Sequence, residues 1–161
     1  RVDLAALLDQ AVLTTAELFR ERGAQVALHK PEGAVPVLRA DPDRLLQVVI
    51  NLLSNAAKFV PREGGQVDVR LLVGADQLTV EVQDNGPGVP ADQQALVFEK
   101  FRQGGDGRNR PQGTGLGLPI SRKIVEHFGG RLWLRSAPGQ GACFGFDLPT
   151  QNTPDPQETT P

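Results

Sequence analysis

The sequence predicts a two-layer α/β sandwich of the α+β class, in which a mixed, mostly antiparallel sheet packs against about three helices. Two observations support this fold. Three segments space their apolar residues as amphipathic helices do, and residues 67–73 and 78–82 alternate apolar and polar residues as the strands of an antiparallel hairpin do. A helix stripe and a sheet face of this kind bury their apolar surface by packing on each other. The predicted domain covers residues 1–149.

The helices are predicted over residues 4–22, 41–59 and 118–128. Gly23 follows the first as a C-terminal stop signal, and the Gly129-Gly130 pair closes the third. Asp41 is the predicted N-cap of the second helix, because its side chain can accept hydrogen bonds from free amide groups. Pro42 then fits the first helical position, where an amide hydrogen is not needed.

The strands are predicted over residues 24–29, 67–73, 78–82, 131–136 and 142–148. Residues 84–117 form a long span rich in glycine, with one short apolar segment at residues 95–101. A loop of this length in a compact domain is typical of a lid or a binding element. Residues 150–161 are polar and rich in proline, which predicts a disordered tail or linker.

The composition favours a soluble domain that contacts neither nucleic acid nor a membrane directly. The chain has 161 residues, 39% of them hydrophobic, and a formal net charge of −2 without a basic cluster. No apolar run approaches the roughly 20 residues that span a bilayer. The single cysteine, Cys143, excludes an internal disulfide. One cysteine is compatible with a reducing compartment, so we expect a cytoplasmic location. Since methionine is absent, we expect the chain to be a fragment of a longer protein, and we expect this fragment to be monomeric.

The second helix carries an unusual polar stripe. Arg44, Gln47, Asn51, Asn55 and Lys58 follow one another at intervals of three and four, so they share one face. Asparagine is a poor helix former, and a solvated face normally carries Glu and Lys. Carboxamide oxygens can complete a magnesium shell, and a lysine can offset phosphate charge. A plain polar face explains this segment alone equally well.

Asp84 ends a row of alternating apolar residues on one face of a predicted strand. A carboxylate in this position is partly desolvated and needs a donor, and the exocyclic amine of adenine is such a donor. The alternative is an ordinary Asx turn at Asp84-Asn85-Gly86. Gly86 and Gly88 favour a ligand, because glycine lets the backbone approach a partner closely.

A glycine run directly precedes the third helix: Gly113, Gly115 and Gly117 alternate with Thr114, Leu116 and Leu118. Backbone amides exposed beside a helix N-terminus bind phosphate oxygens. The run is not a dinucleotide fingerprint, because residue 118 is leucine, and no P-loop sequence of Gly-Lys-Ser or Gly-Lys-Thr occurs. A flexible linker is the alternative explanation.

Four segments in order resemble the signature segments of the histidine-kinase catalytic domain: NLLSNAAKF at 51–59, DNGPGV at 84–89, VFEKF at 97–101 and GTGLGLPISRKIVEHFGG at 113–130. That family shares its fold with type II topoisomerases, mismatch-repair ATPases and a class of heat-shock chaperones. The resemblance covers about residues 2–149. It implies a two-component protein-histidine kinase that binds ATP and Mg2+ and phosphorylates a histidine on a separate dimerisation and phosphoacceptor domain. A response regulator is then the indirect partner.

The resemblance also implies roles for residues near the metal and the phosphates. Asn55 is expected to be the magnesium ligand, with Asn51 as its neighbour in the same segment. Lys58 is expected to reach toward phosphate. Either Arg108 or Arg110 is expected to contact the terminal phosphate, and the sequence does not decide between them.

A second group of residues is expected around the base and in the lid. Asp84 takes the adenine amino group, Phe59 packs near the base, and Gly86 and Gly88 shape the pocket wall. The lid, with two anchoring aromatic residues and the glycine run over the phosphates, contains Phe98, Phe101, Gly113, Thr114, Gly115, Leu116, Gly117 and Leu118.

The residue at position 51 separates phosphoryl transfer from hydrolysis. In the hydrolytic relatives, the position one turn before the metal asparagine is typically glutamate, which serves as base for an attacking water. A carboxamide cannot accept that proton. Asn51 therefore predicts a chain that binds ATP, hydrolyses it slowly and transfers phosphate to a better nucleophile.

The phosphoacceptor segment of the family is missing, so His29 and His127 are expected to be ordinary structural or surface residues. Cys143 is expected to be a small packing residue and Trp133 to lie in the core. Two alternative functions stay open. One is a degenerate nucleotide-binding regulatory module, and the other is a serine-directed protein kinase of the same fold.

Overall fold

The computed structural model describes residues 1–98 and 117–150 and contains both helices and strands. The α-helices in these ranges are α1 (Leu4–Glu21), α2 (Pro42–Phe59), α3 (Ala91–Gln94) and α4 (Gly117–His127). The strands are β1 (Gln25–His29), β2 (Gln66–Val73), β3 (Gln77–Asp84), β4 (Arg131–Ser136) and β5 (Ala142–Pro149). The predicted tail, residues 150–161, lies outside the described residues except for Thr150.

The strands form one mixed sheet in the order β1-β2-β3-β5-β4. β1 pairs with β2 in parallel, and every other neighbouring pair is antiparallel. The predicted hairpin β2–β3 is therefore confirmed, and β4 and β5 form a second antiparallel hairpin. The sheet places β5 between β3 and β4, so the end of β3 at Asp84 lies beside the start of β5.

The long helices cover one face of the sheet, which confirms the two-layer sandwich. Helix α2 turns its apolar stripe to the sheet, and Leu45, Val48 and Leu52 are fully buried there. Full burial of a side chain of this size is worth about 1.5–3 kcal/mol. In the described part of the chain, no helix is both long enough and apolar enough to cross a bilayer.

The predicted helix ends are present in the structure. Asp41 caps α2 by accepting hydrogen bonds from the amides of Asp43 and Arg44 at 2.9 and 3.4 Å. Gly23 follows α1 with a φ of 66°, a left-handed conformation that favours glycine.

The span after Asp84 contains more regular structure than the sequence indicated. Helix α3 and a 3₁₀ turn over Leu96–Phe98 follow Pro90. These elements are too short to show a helical period, which is why they read as loop. The ring of Phe98 packs edge-on against Phe144 of β5, with 6.1 Å between the ring centroids. Residues 99–116 lie outside the described ranges.

The helix-free face of the sheet carries charged and aromatic side chains. The prediction that Trp133 lies in the core is wrong, because its neighbours Leu132 and Leu134 face the helices and Trp133 faces the other way. Its ring lies over Gly145, and the Arg135 guanidinium is 5.4 Å from the ring centroid. Cys143 shares this face and is buried as predicted, and burial raises the pKa of its thiol.

Candidate functional site

Helix α2 connects the two glycine-containing segments that the sequence singled out. At its C-terminal end, Gly86 lies so close to the carbonyl oxygen of Phe59 that a Cβ there would overlap it. Two turns earlier, Asn51 contacts Gly117 at the start of α4. The stripe from Asn51 to Phe59 is about 12 Å long, because a helix rises 1.5 Å per residue. The candidate residues therefore lie along one side of α2.

Asp84 is a buried carboxylate with one engaged and one unpaired oxygen. The residue is 2% exposed. Its Oδ1 accepts hydrogen bonds from the amides of Gly86 at 2.9 Å and Ala142 at 3.3 Å. Its Oδ2 is buried and has no partner among the described residues. Burial raises the pKa of Asp84, and the two amide hydrogen bonds offset only part of that rise.

Asn55 carries a second buried polar atom without a partner in the described ranges, the amide nitrogen Nδ2. Leaving such a group unpaired costs about 1–3 kcal/mol. Lys58, almost one turn further along α2, is half buried, and Phe59 at the helix end is 42% exposed. Two buried atoms that lack partners among the described residues, one a donor and one an acceptor, mark this side of α2 as a candidate site for a polar ligand.

Asn51 is held by the first turns of α4. Its Nδ2 donates to the hydroxyl of Ser121 at 3.1 Å and lies 3.4 Å from the carbonyl oxygen of Gly117. Since a carbonyl oxygen can only accept, this contact assigns the nitrogen to the α4 side. The Oδ1 of Asn51 then remains available on the other side of the carboxamide.

Replacing Ser121 with alanine should destabilise the folded chain by about 1 kcal/mol, because the side-chain amide of Asn51 then keeps only its 3.4 Å contact to the carbonyl oxygen of Gly117. Ser121 is fully buried, so water cannot replace the hydroxyl. Thermal unfolding should show a decrease of about 3 °C in melting temperature. The control is Thr15→Val. It removes a buried hydroxyl that donates a hydrogen bond to the carbonyl oxygen of Ala11 within α1 and therefore does not join two helices. An unchanged melting temperature for Ser121→Ala would contradict this interhelical role.

The described part of the chain also has two surface depressions. One, of about 360 Å³, lies between β2, β3 and the β4–β5 turn, and its lining includes Arg70, Gln83 and Asp84. The other, of about 470 Å³, surrounds Arg131 and Asp147 at the opposite end of the sheet. Neither is lined by Asn55. We therefore locate the candidate site from the unpaired buried atoms.

The structure brings most of the described candidates to one side of α2, and Phe98 and Leu118 pack on the hydrophobic core beside it. Gly88 has a φ of 81°, and a Cβ there would overlap the carbonyl oxygen of Ala137. Seven candidates lie outside the described residues: Phe101, Arg108, Arg110, Gly113, Thr114, Gly115 and Leu116. Their predicted contacts stay predictions.

Sequence reasoning did not identify three residues that shape the site. Ser121 binds Asn51 across 70 positions of sequence. Ser136 and Gln94 hold the Asp84–Val89 loop through hydrogen bonds to Val89. No local pattern signals the contacts of Ser121 and Ser136, because they join elements that meet only in the folded chain. Gln94 lies only five residues from Val89, but helix α3 is too short to show a helical period.

Comparison with known families adds an independent observation. A family model described as histidine kinase-, DNA gyrase B- and HSP90-like ATPase matches residues 40–152, more than half of the chain. The adaptive-response sensory kinase SasA of Parasynechococcus marenigrum is 37% identical over 150 residues, which are 92% of this chain and 39% of SasA. The circadian input-output histidine kinase CikA of Synechococcus elongatus is 39% identical over 98% of this chain and 21% of its own length. The chain thus spans about a fifth to two fifths of these relatives.

Solved structures share the fold at similar levels of identity. The nucleotide-free catalytic domain of the histidine kinase ThkA has a TM-score of 0.80 and 28% identity, covering 92% of this chain and 93% of that domain. Full-length ShkA in complex with AMPPNP has a TM-score of 0.79 and 32% identity, covering 91% of this chain and 30% of ShkA. ThkA in complex with the response regulator TrrA has a TM-score of 0.75 and 25% identity, covering 93% and 41%.

The family match covers the segment that contains the whole polar stripe of α2, Asp84 and the start of α4. The fold, the order of the site segments and the match agree with one another. The chain belongs to the histidine kinase-, DNA gyrase B- and HSP90-like ATPases, and the members it resembles are catalytic domains of histidine kinases.

Proposed function

We propose that this chain binds Mg-ATP along the polar side of α2 and transfers the γ-phosphoryl group to a histidine on a separate dimerisation and phosphoacceptor domain. The observation that carries the proposal is the Oδ2 of Asp84, a buried acceptor beside the glycines of the Asp84–Val89 loop that has no partner within residues 1–98 and 117–150. We further propose that the reaction takes place in the cytoplasm.

The base is expected at the Asp84 end of α2. The exocyclic amine of adenine is a neutral donor that can reach a buried carboxylate oxygen and compensate its desolvation. Guanine presents a carbonyl oxygen at the corresponding ring position, and this oxygen would meet the ionised Oδ2 unfavourably. Phe59 offers exposed apolar surface at the same end of the helix.

The phosphates and the cation are expected nearer the middle of α2. The Nδ2 of Asn55 is a donor suited to a phosphate oxygen, while its Oδ1 and that of Asn51 are the hard oxygen ligands that Mg2+ prefers. The described residues contain no cluster of three or more His, Cys, Asp or Glu side chains. The cation would therefore depend on carboxamide, phosphate and water oxygens. When bound, Mg2+ neutralises charge on the phosphates.

The chemistry of residue 51 favours transfer over hydrolysis. An imidazole nitrogen of the acceptor attacks the γ-phosphorus, the bond from phosphorus to the bridging oxygen breaks, ADP leaves, and the imidazole loses its proton to solvent. This reaction needs alignment and charge neutralisation more than a protein base. Attack by water needs a base, and Asn51 cannot accept a proton. A response regulator is the expected downstream partner.

The test combines the chain with γ-labelled ATP and the phosphoacceptor domain of its parent protein. We expect the acceptor to become labelled. The label should be lost in acid and survive in alkali, because phosphohistidine is labile in acid and stable in alkali. The isolated chain should hydrolyse ATP much more slowly than it labels the acceptor. Asn55→Ala serves as the inactive control, because it removes the proposed phosphate and metal contacts.

Three results would contradict the proposal in different ways. Nucleotide binding without any label on the acceptor indicates a regulatory module. Acid-stable label indicates a serine-directed kinase. Rapid ATP turnover by the chain alone contradicts the interpretation of Asn51.

A further inference from the structure

The turn between β4 and β5, residues 137–141, lies directly against the Asp84–Val89 loop. The amide of Gly139 donates to the carbonyl oxygen of Pro87 at 2.8 Å. A Cβ at Gly141 would overlap the backbone at the first residue of that loop, and the φ of Gly141 is 75°. The two segments therefore meet through backbone, without room for a side chain between them.

Ser136, the last residue of β4, joins these two segments with one hydroxyl group. Its Oγ accepts a hydrogen bond from the amide of Val89 at 2.8 Å and donates to the carbonyl oxygen of Gly141 at 2.7 Å. Gln94 of α3 adds contacts from its Nε2 to the carbonyl oxygens of Val89 and Ser136, at 2.9 and 3.1 Å. The hydroxyl acts as donor and acceptor at once, so it holds one end of the loop and one peptide of the turn.

The peptide group between Gly141 and Ala142, which Ser136 holds, also donates a hydrogen bond to Asp84. The carbonyl group of Gly141 and the amide of Ala142 belong to the same planar trans peptide, so they point in opposite directions. Ser136 holds the carbonyl side, and the amide on the other side donates to Asp84 Oδ1 at 3.3 Å. The amide of Gly86 also donates to Oδ1, so Oδ2 is the oxygen that has no partner in the part of the chain that the structure describes.

We propose that Ser136 is a positioning residue for purine selection, which acts through the Gly141–Ala142 peptide to hold the Asp84 carboxylate with Oδ2 turned toward the base. This inference rests on the proposed function and adds to it a residue outside the four signature segments. The hydrogen bond from Ala142 also lowers the pKa of Asp84, so its loss would make the carboxylate harder to ionise.

The test measures ATP and GTP affinity of the full chain by calorimetry for the wild type, Ser136→Ala and Ser136→Thr. We expect Ser136→Ala to weaken ATP binding about tenfold, as the loss of two hydrogen bonds of moderate strength allows. GTP affinity should change by about twofold or less, so the preference for ATP falls. Ser136→Thr keeps the hydroxyl and should keep the preference.

The matched control is Thr79→Val, which removes a hydroxyl that donates to Asp147 at 2.8 Å on the same sheet. Thr79 lies five residues before Asp84 on β3, at the opposite end of the strand. This variant should keep the wild-type preference. If it loses the preference as Ser136→Ala does, the effect is one of general stability and the inference is wrong.

Amide hydrogen exchange of Ala142 in the nucleotide-free chain separates the inference from the proposed function. Faster exchange of this amide in Ser136→Ala than in Ser136→Thr supports the positioning role. Equal exchange, or a folded Ser136→Ala variant with an unchanged ATP preference, overturns it. A wild-type chain that binds neither nucleotide contradicts the proposed function, and the exchange comparison still decides whether Ser136 holds the peptide.

Discussion

Replacing Asp84 with asparagine should weaken ATP binding about 30-fold and raise the melting temperature of the nucleotide-free chain. The affinity loss corresponds to one charge-assisted hydrogen bond of about 2 kcal/mol. The gain in stability follows because a buried carboxylate oxygen without a partner destabilises the folded state, and a neutral amide at this position costs less. Calorimetry and thermal unfolding, with and without ATP, measure both effects. A gain of about 1 kcal/mol corresponds to about 3 °C.

The pH dependence of folding stability and of ATP affinity is a second measurement on Asp84→Asn. Burial raises the pKa of Asp84 in the folded chain, so the ionised group destabilises the fold above that pKa. The penalty is relieved as the pH falls through the raised pKa, because the folded carboxyl then binds a proton more readily than the unfolded one. Over this range ATP affinity should fall, since a protonated Oδ2 presents a donor to the adenine amine. Asp84→Asn should lack this pH dependence.

Asp147→Asn is the matched control for these measurements. Asp147 is a half-buried carboxylate on β5 that accepts a hydrogen bond from Thr79, remote from the stripe of α2. We expect this variant to bind ATP as the wild type does. Unchanged ATP affinity in Asp84→Asn would refute the base-binding role, whatever its effect on stability.

Replacing Asn55 with alanine should weaken ATP binding by at least about 150-fold in the presence of magnesium. The variant removes both the carboxamide oxygen proposed for the cation and the Nδ2 donor proposed for a phosphate, each a contact to a charged group worth about 1.5–3 kcal/mol. In excess chelator the loss of ATP affinity should be only roughly tenfold, because the Nδ2 donor of Asn55 is then the only proposed contact that the variant removes. Calorimetric titrations under the two conditions give the difference.

Gln47→Ala is the control for the same helix face. It removes a carboxamide from the exposed beginning of the polar stripe, two turns before Asn55. This variant should bind ATP normally under both conditions. Equal weakening of Asn55→Ala with and without magnesium would mean that the metal role is misassigned, while the phosphate contact could still hold.

Local features of the sequence were enough to predict most elements of the fold. The end of α1 at Gly23 and the start of α2 at Asp41 depend on backbone conformation and capping within a few residues. The two hairpins depend on alternation across a short turn. Helix α3 and the placement of Trp133 were not predicted, because neither has a local period that separates core residues from surface residues.

The positions of the candidate site residues on their elements were predicted from the same local patterns, and their roles stay predictions. The sequence by itself determined which residue types lie along α2 and at the end of β3, because helical and strand periods are properties of the local backbone. It also determined that position 51 carries a carboxamide and not a carboxylate, and this identity governs the proposed chemistry.

Only the tertiary structure decided how these residues are oriented. The insertion of β5 beside β3 brings the amide of Ala142 to Oδ1 of Asp84, while Oδ2 has no partner among the described residues. The packing of α4 on α2 gives Asn51 its hydrogen bond to Ser121. These contacts join residues 58 and 70 positions apart. They depend on which surfaces bury one another when the whole chain folds, and no local pattern encodes that choice.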